Sequence, residues 1–174
     1  MKIIYGTNEA YYSRLHRFFE KAPITHIALC FTLNGKDIVV EATRPCGRQI
    51  CLSRWQKRYQ LKAIQEIEFN EELEFLIYLK IKKEIIGIKY DFPAYFFGWF
   101  WALLTIWKKD KQLYKNPFNS LDKKICTEIL DPIKDDLHQY NVCLNNIDLS
   151  GVTPFMLYKK LSKEMGIHNV YKNF

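Results

Sequence analysis

The chain of 174 residues is 48% apolar and carries a net charge of +7, from 26 lysines and arginines against 19 acidic residues. This length and hydrophobicity exclude a disordered protein and predict one domain, residues 1–174, with a core of its own. The basic residues are spread along the chain without a run of five, which indicates a solvated surface and no specific contact with nucleic acid.

The cysteines show neither disulfide-scaffold nor metal-site spacing. Cys46 and Cys51 are too far apart for a Cys-x-x-Cys motif, and no second pair stands at zinc-ligand spacing. The other cysteines are Cys30, Cys126 and Cys143. The first twelve residues contain no apolar run of signal-peptide length. We therefore expect a cytoplasmic protein with free thiols and with neither a metal nor a cofactor.

The first elements are a short strand and an amphipathic helix. Residues 2–5 are strand-like and end at Gly6, and a helix follows from Glu9 to Lys21 with Asn8 as its cap. One face of this helix carries apolar side chains at the spacing of a core-facing surface: Tyr12, Leu15, Phe18 and Phe19. We expect that face to be buried and His16 to lie on the surface.

A β-hairpin is predicted next. Residues 24–33 and 37–43 are strand-like, and Asn34-Gly35 between them is a strong turn signal. His26 and Glu41 lie at similar distances on either side of this turn, so the hairpin brings them close together. An imidazole beside a carboxylate is the base-and-orienter half of a catalytic triad. The alternative is a hydrogen-bonded core histidine with Glu41 on the surface.

The middle of the chain predicts two more strands and a helix. Residues 48–52 form the third strand, and residues 62–69 a further one. Asn70 then caps a helix whose first turn is acidic, with Glu71 and Glu72, and which runs to about Ile86 before Gly87 stops it.

The most apolar stretch runs from Phe92 to Trp107 and is rich in aromatic residues, Trp99 among them. It is shorter than the roughly 20 residues that span a bilayer. It predicts a buried helix. The alternatives are a helix whose aromatic side lines a groove for an apolar substrate, or one that rests on a membrane surface.

Cys126 follows two lysines and begins a helix-like apolar run that Pro132 should kink or divide. The unpaired N–H groups and the positive dipole end at a helix start favour the thiolate, which is the nucleophilic form of cysteine. Thr153-Pro154 then opens a last helix that ends at Gly166.

The order of these features resembles a known family. The pattern is Thr-His26-Ile-Ala on one strand, Val-Val-Glu41-Ala on the next, a Ser-Arg-Trp55 segment, Ile-Gly-x-x-Tyr90-Asp-Phe, and Cys126-Thr-Glu at a helix start. It resembles the permuted papain-like (circularly permuted NlpC-type, YiiX-like) cysteine hydrolases over nearly the whole chain. The resemblance implies an α+β fold in which a small antiparallel β-sheet or barrel packs against helices.

The resemblance also implies a mechanism. Cys126 would be the nucleophile, His26 the general base and Glu41 the orienter of the imidazole, with cleavage of an amide bond in a peptide, an N-acylated molecule or a lipid. Tyr90 and Trp99 are expected to contact the substrate, and Tyr90 is a candidate for the second oxyanion donor beside the Cys126 N–H.

Two other interpretations stay open. Proteins that resemble this group occur in bacteria and in their phages, so the chain could be a catalytically inactive or non-enzymatic virion or cargo protein on the same fold. Its location would then be a virion or the host-cell cytoplasm. The aromatic stretch and the positive charge also fit a peripheral membrane binder.

Overall fold

The computed structural model describes residues 1–97, 120, 122–140, 142, 144 and 147–164. Trp99, Cys143, Gly166 and positions 98–107 of the aromatic stretch lie outside these described residues. None of the helices in the described ranges is long and apolar enough to cross a membrane.

A five-stranded antiparallel sheet, in the order β4-β3-β2-β1-β5, organises the structure. Its strands are β1 (Lys2–Thr7), β2 (His26–Leu33), β3 (Lys36–Glu41), β4 (Arg48–Cys51) and β5 (Gln60–Glu66). The predicted hairpin is confirmed: Asn34 and Gly35 both have positive φ, 51° and 71°, as the two-residue turns that match the twist of a hairpin require.

Helices surround the sheet, as the α+β prediction expected. They are α1 (Tyr11–Glu20), α2 (Leu52–Gln56), α3 (Glu71–Ile85), α4 (residues 92–97), α5 (Lys134–His138) and α6 (Pro154–Glu164), with 3-10 helices at Cys126–Ile133 and Leu149–Gly151. Two short strands, β6 (Lys89–Tyr90) and β7 (Lys123–Lys124), form a separate parallel pair.

The two faces of the sheet have different cores, because alternate residues of each strand point to opposite sides. On one face, Ile27 and Leu29 of β2 belong to the main cluster, with apolar residues of α3, α6 and the 3-10 helix Cys126–Ile133. On the other face, Ala28 belongs to a smaller cluster around Trp55 and Tyr59. His26 and Glu41 lie in phase with this second face, so the sheet aims both of them towards Trp55.

Several predicted helix boundaries are confirmed. The Asn70 side chain accepts a hydrogen bond from the Leu73 N–H at 2.8 Å and caps α3. Gly87 follows that helix with φ +82°. Pro132 divides the segment that begins at Cys126, since the first part is a 3-10 helix and α5 starts at Lys134.

The predicted orientation of α1 is wrong. Phe18 and Phe19 are 76% and 53% exposed, whereas His16, which we expected on the surface, is only 2% exposed. The helix docks through the His16 side, which faces the ring of Tyr95 at a centroid distance of 5.9 Å. Spacing reveals that aromatic residues share a face, but not which face the rest of the protein covers.

Candidate active site

The hairpin β2–β3 holds His26 against Glu41. The register pairs Leu29 with Val40, which extends to place Glu41 opposite Ala28, two residues from His26 on the same face. Diagonal neighbours at this offset are within reach of long side chains. The His26 Nε2 and Glu41 Oε2 atoms are 2.7 Å apart.

Glu41 is fully buried and each of its carboxylate oxygens has two partners. Oε1 accepts hydrogen bonds from the Arg48 Nε and Nη2 atoms at 2.8 and 2.5 Å. Oε2 accepts one from the Trp55 indole at 3.2 Å, beside His26. Burial raises the pKa of Glu41, but the bonds and charges of His26 and Arg48 outweigh it and leave the pKa below its usual value.

Aromatic stacking also holds the His26 ring in place. It stacks on Tyr59 with centroids 4.5 Å apart and an interplanar angle of 11°. Tyr59 stacks in turn on Trp55 at 4.9 Å. Burial by itself lowers the pKa of His26. Tyr59, Cys126 and Glu41 more than offset this effect and hold the pKa well above its usual value, which favours the protonated imidazole.

The third predicted residue arrives from a distant segment. Strand β7 pairs in parallel with β6, with Tyr90 beside Lys124, and the Asp91 N–H donates to the Lys124 carbonyl at 3.0 Å. Cys126 then begins its 3-10 helix two residues further on. The Glu128 carboxylate fixes this start because it accepts a hydrogen bond from the Ile125 N–H at 2.7 Å.

The structure brings Cys126 close to both His26 and Tyr90. The thiol is near enough to the His26 ring and to the Tyr90 side chain to contribute to the raised pKa of each. Because His26 Nε2 is bound to Glu41, its Nδ1 is the nitrogen left for the sulfur. Burial, followed by the charge of Cys126, raises the pKa of Tyr90 well above its usual value, so its hydroxyl remains a donor.

Cys126 itself is 1% exposed, and two cavities flank the site. A groove of about 390 Å³ reaches His26 from one side. A small cavity of about 20 Å³, with room for a water molecule, touches Cys126 on the other side. Tyr95 lines both of them and so lies between the groove and the small cavity.

His16 of α1 also lines the small cavity and pairs with Glu20 of the same helix. The His16 Nε2 atom lies 3.5 Å from Glu20 Oε1. Burial lowers the pKa of His16 to about 4. Burial also raises the pKa of Glu20 to about 7, against opposing effects of Thr153 and Lys159. Sequence reasoning missed this pair, because an apolar-face argument assigns the histidine to the solvent.

Sequence reasoning also missed Arg48, Tyr59 and Tyr95. Arg48 had a readable signal, because it lies directly opposite Glu41 in the β3–β4 register and opposite charges favour such pairs. Tyr59 and Tyr95 had no such signal in the sequence, since each is one aromatic residue among many. Of the predicted substrate contacts, Tyr90 lies at the site and Trp99 is outside the described residues.

Comparisons with known proteins identify a similar fold but no related sequence. The sequence matches no protein-family model and no curated protein at a significant level. Its structure is similar to the crystal structure of the metalloprotein YiiX from Escherichia coli O157:H7, with a TM-score of 0.55 and 18% sequence identity over 96% of this chain and 82% of that one. The chain therefore has a YiiX-like fold, a mixed α+β arrangement of an antiparallel sheet packed against helices.

The name of that neighbour raises the question of a metal. Among the residues that the structure describes, no three His, Cys, Asp or Glu side chains come together as a metal site. The His26 Nε2 atom is already bound to Glu41 at 2.7 Å, and the other oxygen of that carboxylate is occupied by Arg48. The residues described therefore do not fit a metal centre here.

Proposed function

We propose that this protein is a cysteine hydrolase or acyltransferase on a circularly permuted papain-like scaffold, acting on an amide bond through Cys126, His26 and Glu41. The observation that carries the proposal is the position of the His26 ring. One nitrogen of the ring is bound by Glu41 at 2.7 Å, and the Cys126 thiol lies near enough to the ring to raise its pKa. This is the nucleophile–base–orienter order of thiol acyl-transfer enzymes.

The chemistry follows from the two ring nitrogens. In the resting site the thiol proton has already passed to Nδ1 of His26, as the raised pKa of the imidazole favours, and the thiolate sulfur of Cys126 attacks the carbonyl carbon of the amide. The imidazolium then returns this proton to the leaving nitrogen as the C–N bond breaks, which leaves a thioester on the sulfur. Water or another acceptor gives up a proton to His26, attacks the thioester and releases the acid or acyl product, which restores the thiolate and the imidazolium.

Two donors are suited to the oxyanion that forms during attack. The backbone N–H of Cys126 stands at a helix start, where N–H groups lack acceptors within the helix. The Tyr90 hydroxyl is the second, because it lies near enough to Cys126 for that residue to raise its pKa, and it stays protonated. Since Cys126 is 1% exposed, we expect Tyr90 or Tyr95 to shift when the substrate enters from the groove.

An acylation experiment tests the proposal. Wild-type protein and the variants Cys126→Ala and His26→Ala are incubated with 4-nitrophenyl acetate, and the acetylated residue is located by peptide mass spectrometry. We expect a thioester at Cys126, formed about 10²–10⁴-fold more slowly in His26→Ala because the general base is lost. Release of nitroaniline from N-acyl 4-nitroanilides then tests the amide specificity.

Cys51→Ala is the matched control, because Cys51 is an exposed thiol whose pKa is lowered chiefly by its hydrogen bond with Ser53, so the variant shows how much acetylation occurs at the surface. An equal total thioester yield in wild type and Cys126→Ala would disprove the claim that Cys126 is the nucleophile. An unreactive Cys126 in a folded protein would favour the non-enzymatic alternative on the same fold.

A further inference from the structure

The groove beside His26 has an aromatic wall. Its volume of about 390 Å³ falls in the range of small-molecule sites, about 300–1,000 Å³. Six aromatic residues line it: Tyr11, Tyr12, Tyr59, Tyr90, Phe92 and Tyr95. Rings of this kind contact flat apolar groups well and leave their hydroxyls for hydrogen bonds.

The groove has a positive charge that no acidic residue among its described lining residues balances. Among its described lining residues, Arg44 is the permanent cation and no aspartate or glutamate is present. The acids nearest in sequence are already paired. Glu9 binds Arg14 and Arg17, while the oxygens of Glu41 are occupied as described above. The groove therefore favours a neutral or anionic occupant over a cationic one.

The side chain of Arg44 has an orientation that is suited to binding an anion. Its guanidinium carbon lies 4.3 Å from the centroid of the Phe92 ring. Within the described part of the chain Arg44 forms no ion pair at 4 Å or less. A guanidinium stacked on a ring keeps its N–H donors at the edge of the plane, where they can bind two oxygens of a carboxylate or a phosphate together.

From these contacts we propose that the groove is a subsite for a flat apolar group that carries a carboxylate or a phosphate, and that Arg44 is its anchor. The aromatic wall takes the apolar part and the guanidinium takes the anion. The proposal deepens the proposed function, since it assigns the amide substrate an anionic aromatic or similarly flat portion. The binding step itself does not depend on acyl transfer.

Calorimetry with matched ligands tests the subsite. We use 4-phenylbutanoate, the neutral 4-phenylbutanamide and 3-phenylpropylphosphonate with wild type, Arg44→Gln, Arg44→Lys and Cys126→Ala. We expect at least one anionic ligand to bind wild type about tenfold more tightly than the amide, as a charge-assisted hydrogen-bond pair would give. Arg44→Gln should lose this preference, Arg44→Lys should keep part of it, and Cys126→Ala should keep all of it.

The control variant is Arg54→Gln, which removes the same charge from an exposed residue of α2 outside the groove lining. Equal binding of the anions and the amide to wild type, or an equal loss in Arg44→Gln and Arg54→Gln, would overturn the subsite. The preferred anion identifies a carboxylate or a phosphate. Failure of the proposed function would look different, because no thioester would form at Cys126 while the Arg44-dependent binding persisted.

Discussion

Glu41 shows how a single buried charge can be made tolerable. A carboxylate without exposure loses its hydration, and removing one partner of a buried pair costs about 3–5 kcal/mol. Here both oxygens are satisfied by His26, Arg48 and Trp55. The sequence was enough to predict the His26–Glu41 contact, because a two-residue turn fixes the register of a hairpin. The partners Arg48 and Trp55 lie beyond the hairpin and needed the fold.

Replacing the carboxylate tests its role as orienter. In Glu41→Gln the negative charge that raises the pKa of His26 is lost, and Arg48 loses its ion-pair partner. We expect acetylation of Cys126 at pH 7 to slow at least tenfold, its alkaline decline to move to lower pH, and the free energy of unfolding to fall by about 3–5 kcal/mol. Rates over a pH series and urea unfolding measure the two effects.

Asp37→Asn is the control, because Asp37 lies on the same strand four residues before Glu41, and its carboxylate accepts a hydrogen bond from the Thr32 hydroxyl at 2.8 Å. An unchanged pH dependence of acetylation in Glu41→Gln would argue against any influence of this carboxylate on His26.

Four shifted groups predict a bounded pH range of stability. The depressed pKa values of Glu41 and of His16, which is about 4, mean that acid removes stability. The raised pKa values of His26 and of Glu20, which is about 7, mean that alkali removes it. Between the usual values of 4.5 and 6.5 the opposite slopes of His16 and Glu20 cancel. We expect urea midpoints to be highest in that interval and to fall on both sides.

Variants separate these contributions. His26→Gln should flatten the decline above pH 6.5, and Glu20→Gln should expose the His16 contribution as a fall in stability from pH 6.5 towards pH 4. A midpoint that keeps rising from pH 6.5 to pH 9 in the wild type would contradict the assigned direction for His26.

At the level of single elements, β1 is shaped by its contact with Trp55. The β1–β5 register shifts between Tyr5 and Gly6. A Cβ at Gly6 would lie 2.6 Å from the Trp55 Cη2 atom, closer than any real contact. The glycine therefore lets the indole reach Glu41. The sequence predicted β1 but ended it at Gly6, whereas the strand continues to Thr7. It gave no reason for a glycine inside the strand, because Trp55 is 49 positions away.

Gly6→Ala should displace Trp55. We expect a loss of about 1–3 kcal/mol in unfolding free energy from overpacking, together with slower acetylation of Cys126 because Glu41 loses its indole donor. Gly35→Ala is the matched control: its φ is +71° but nothing lies within 4 Å of a Cβ there, so it should lose only about 1 kcal/mol and leave acetylation unchanged. Equal effects of the two variants on acetylation would contradict the Trp55 argument.

A comparison of helices α3 and α1 explains which predictions about single elements succeeded. Helix α3 has a capping asparagine, an acidic first turn and a terminal glycine, and these local signals agree with one another. Helix α1 has strong periodicity as well, yet its exposed side carries Phe18 and Phe19. Local signals set where a helix begins and ends, whereas the face that it buries is set by partners such as Tyr95 that come from other parts of the chain.

For the whole molecule, the meeting of Cys126 with His26 depends on long-range contacts that have no local signature. Strands β6 and β7 contain two residues each and show no periodicity. Asp91 strengthens their pairing, since its carboxylate accepts hydrogen bonds from the Ala94 and Ser120 N–H groups, both at 3.0 Å. The hairpin predicts the contact of His26 with Glu41, whereas the approach of Cys126 to that pair was expected from the family resemblance and is seen only in the structure.

Asp91→Ala should loosen this junction. Because two buried hydrogen bonds are lost, we expect about 1–3 kcal/mol less stability for each acceptor removed, faster hydrogen exchange of the Asp91 and Ile125 amides, and slower acetylation of Cys126. Asp91→Asn keeps one acceptor oxygen and should show smaller changes. Acetylation that is unaffected in Asp91→Ala despite the faster exchange would show that the junction does not position the thiol.

The parallel pairing of β6 with β7 also has a consequence for biosynthesis. His26 and Glu41 leave the ribosome early and the thiol follows 85 positions after Glu41. Until β7 has been translated and has joined β6, the nascent polypeptide contains His26 and Glu41 but lacks Cys126. Under the proposed function, acyl transfer can therefore begin only after this late segment has been made.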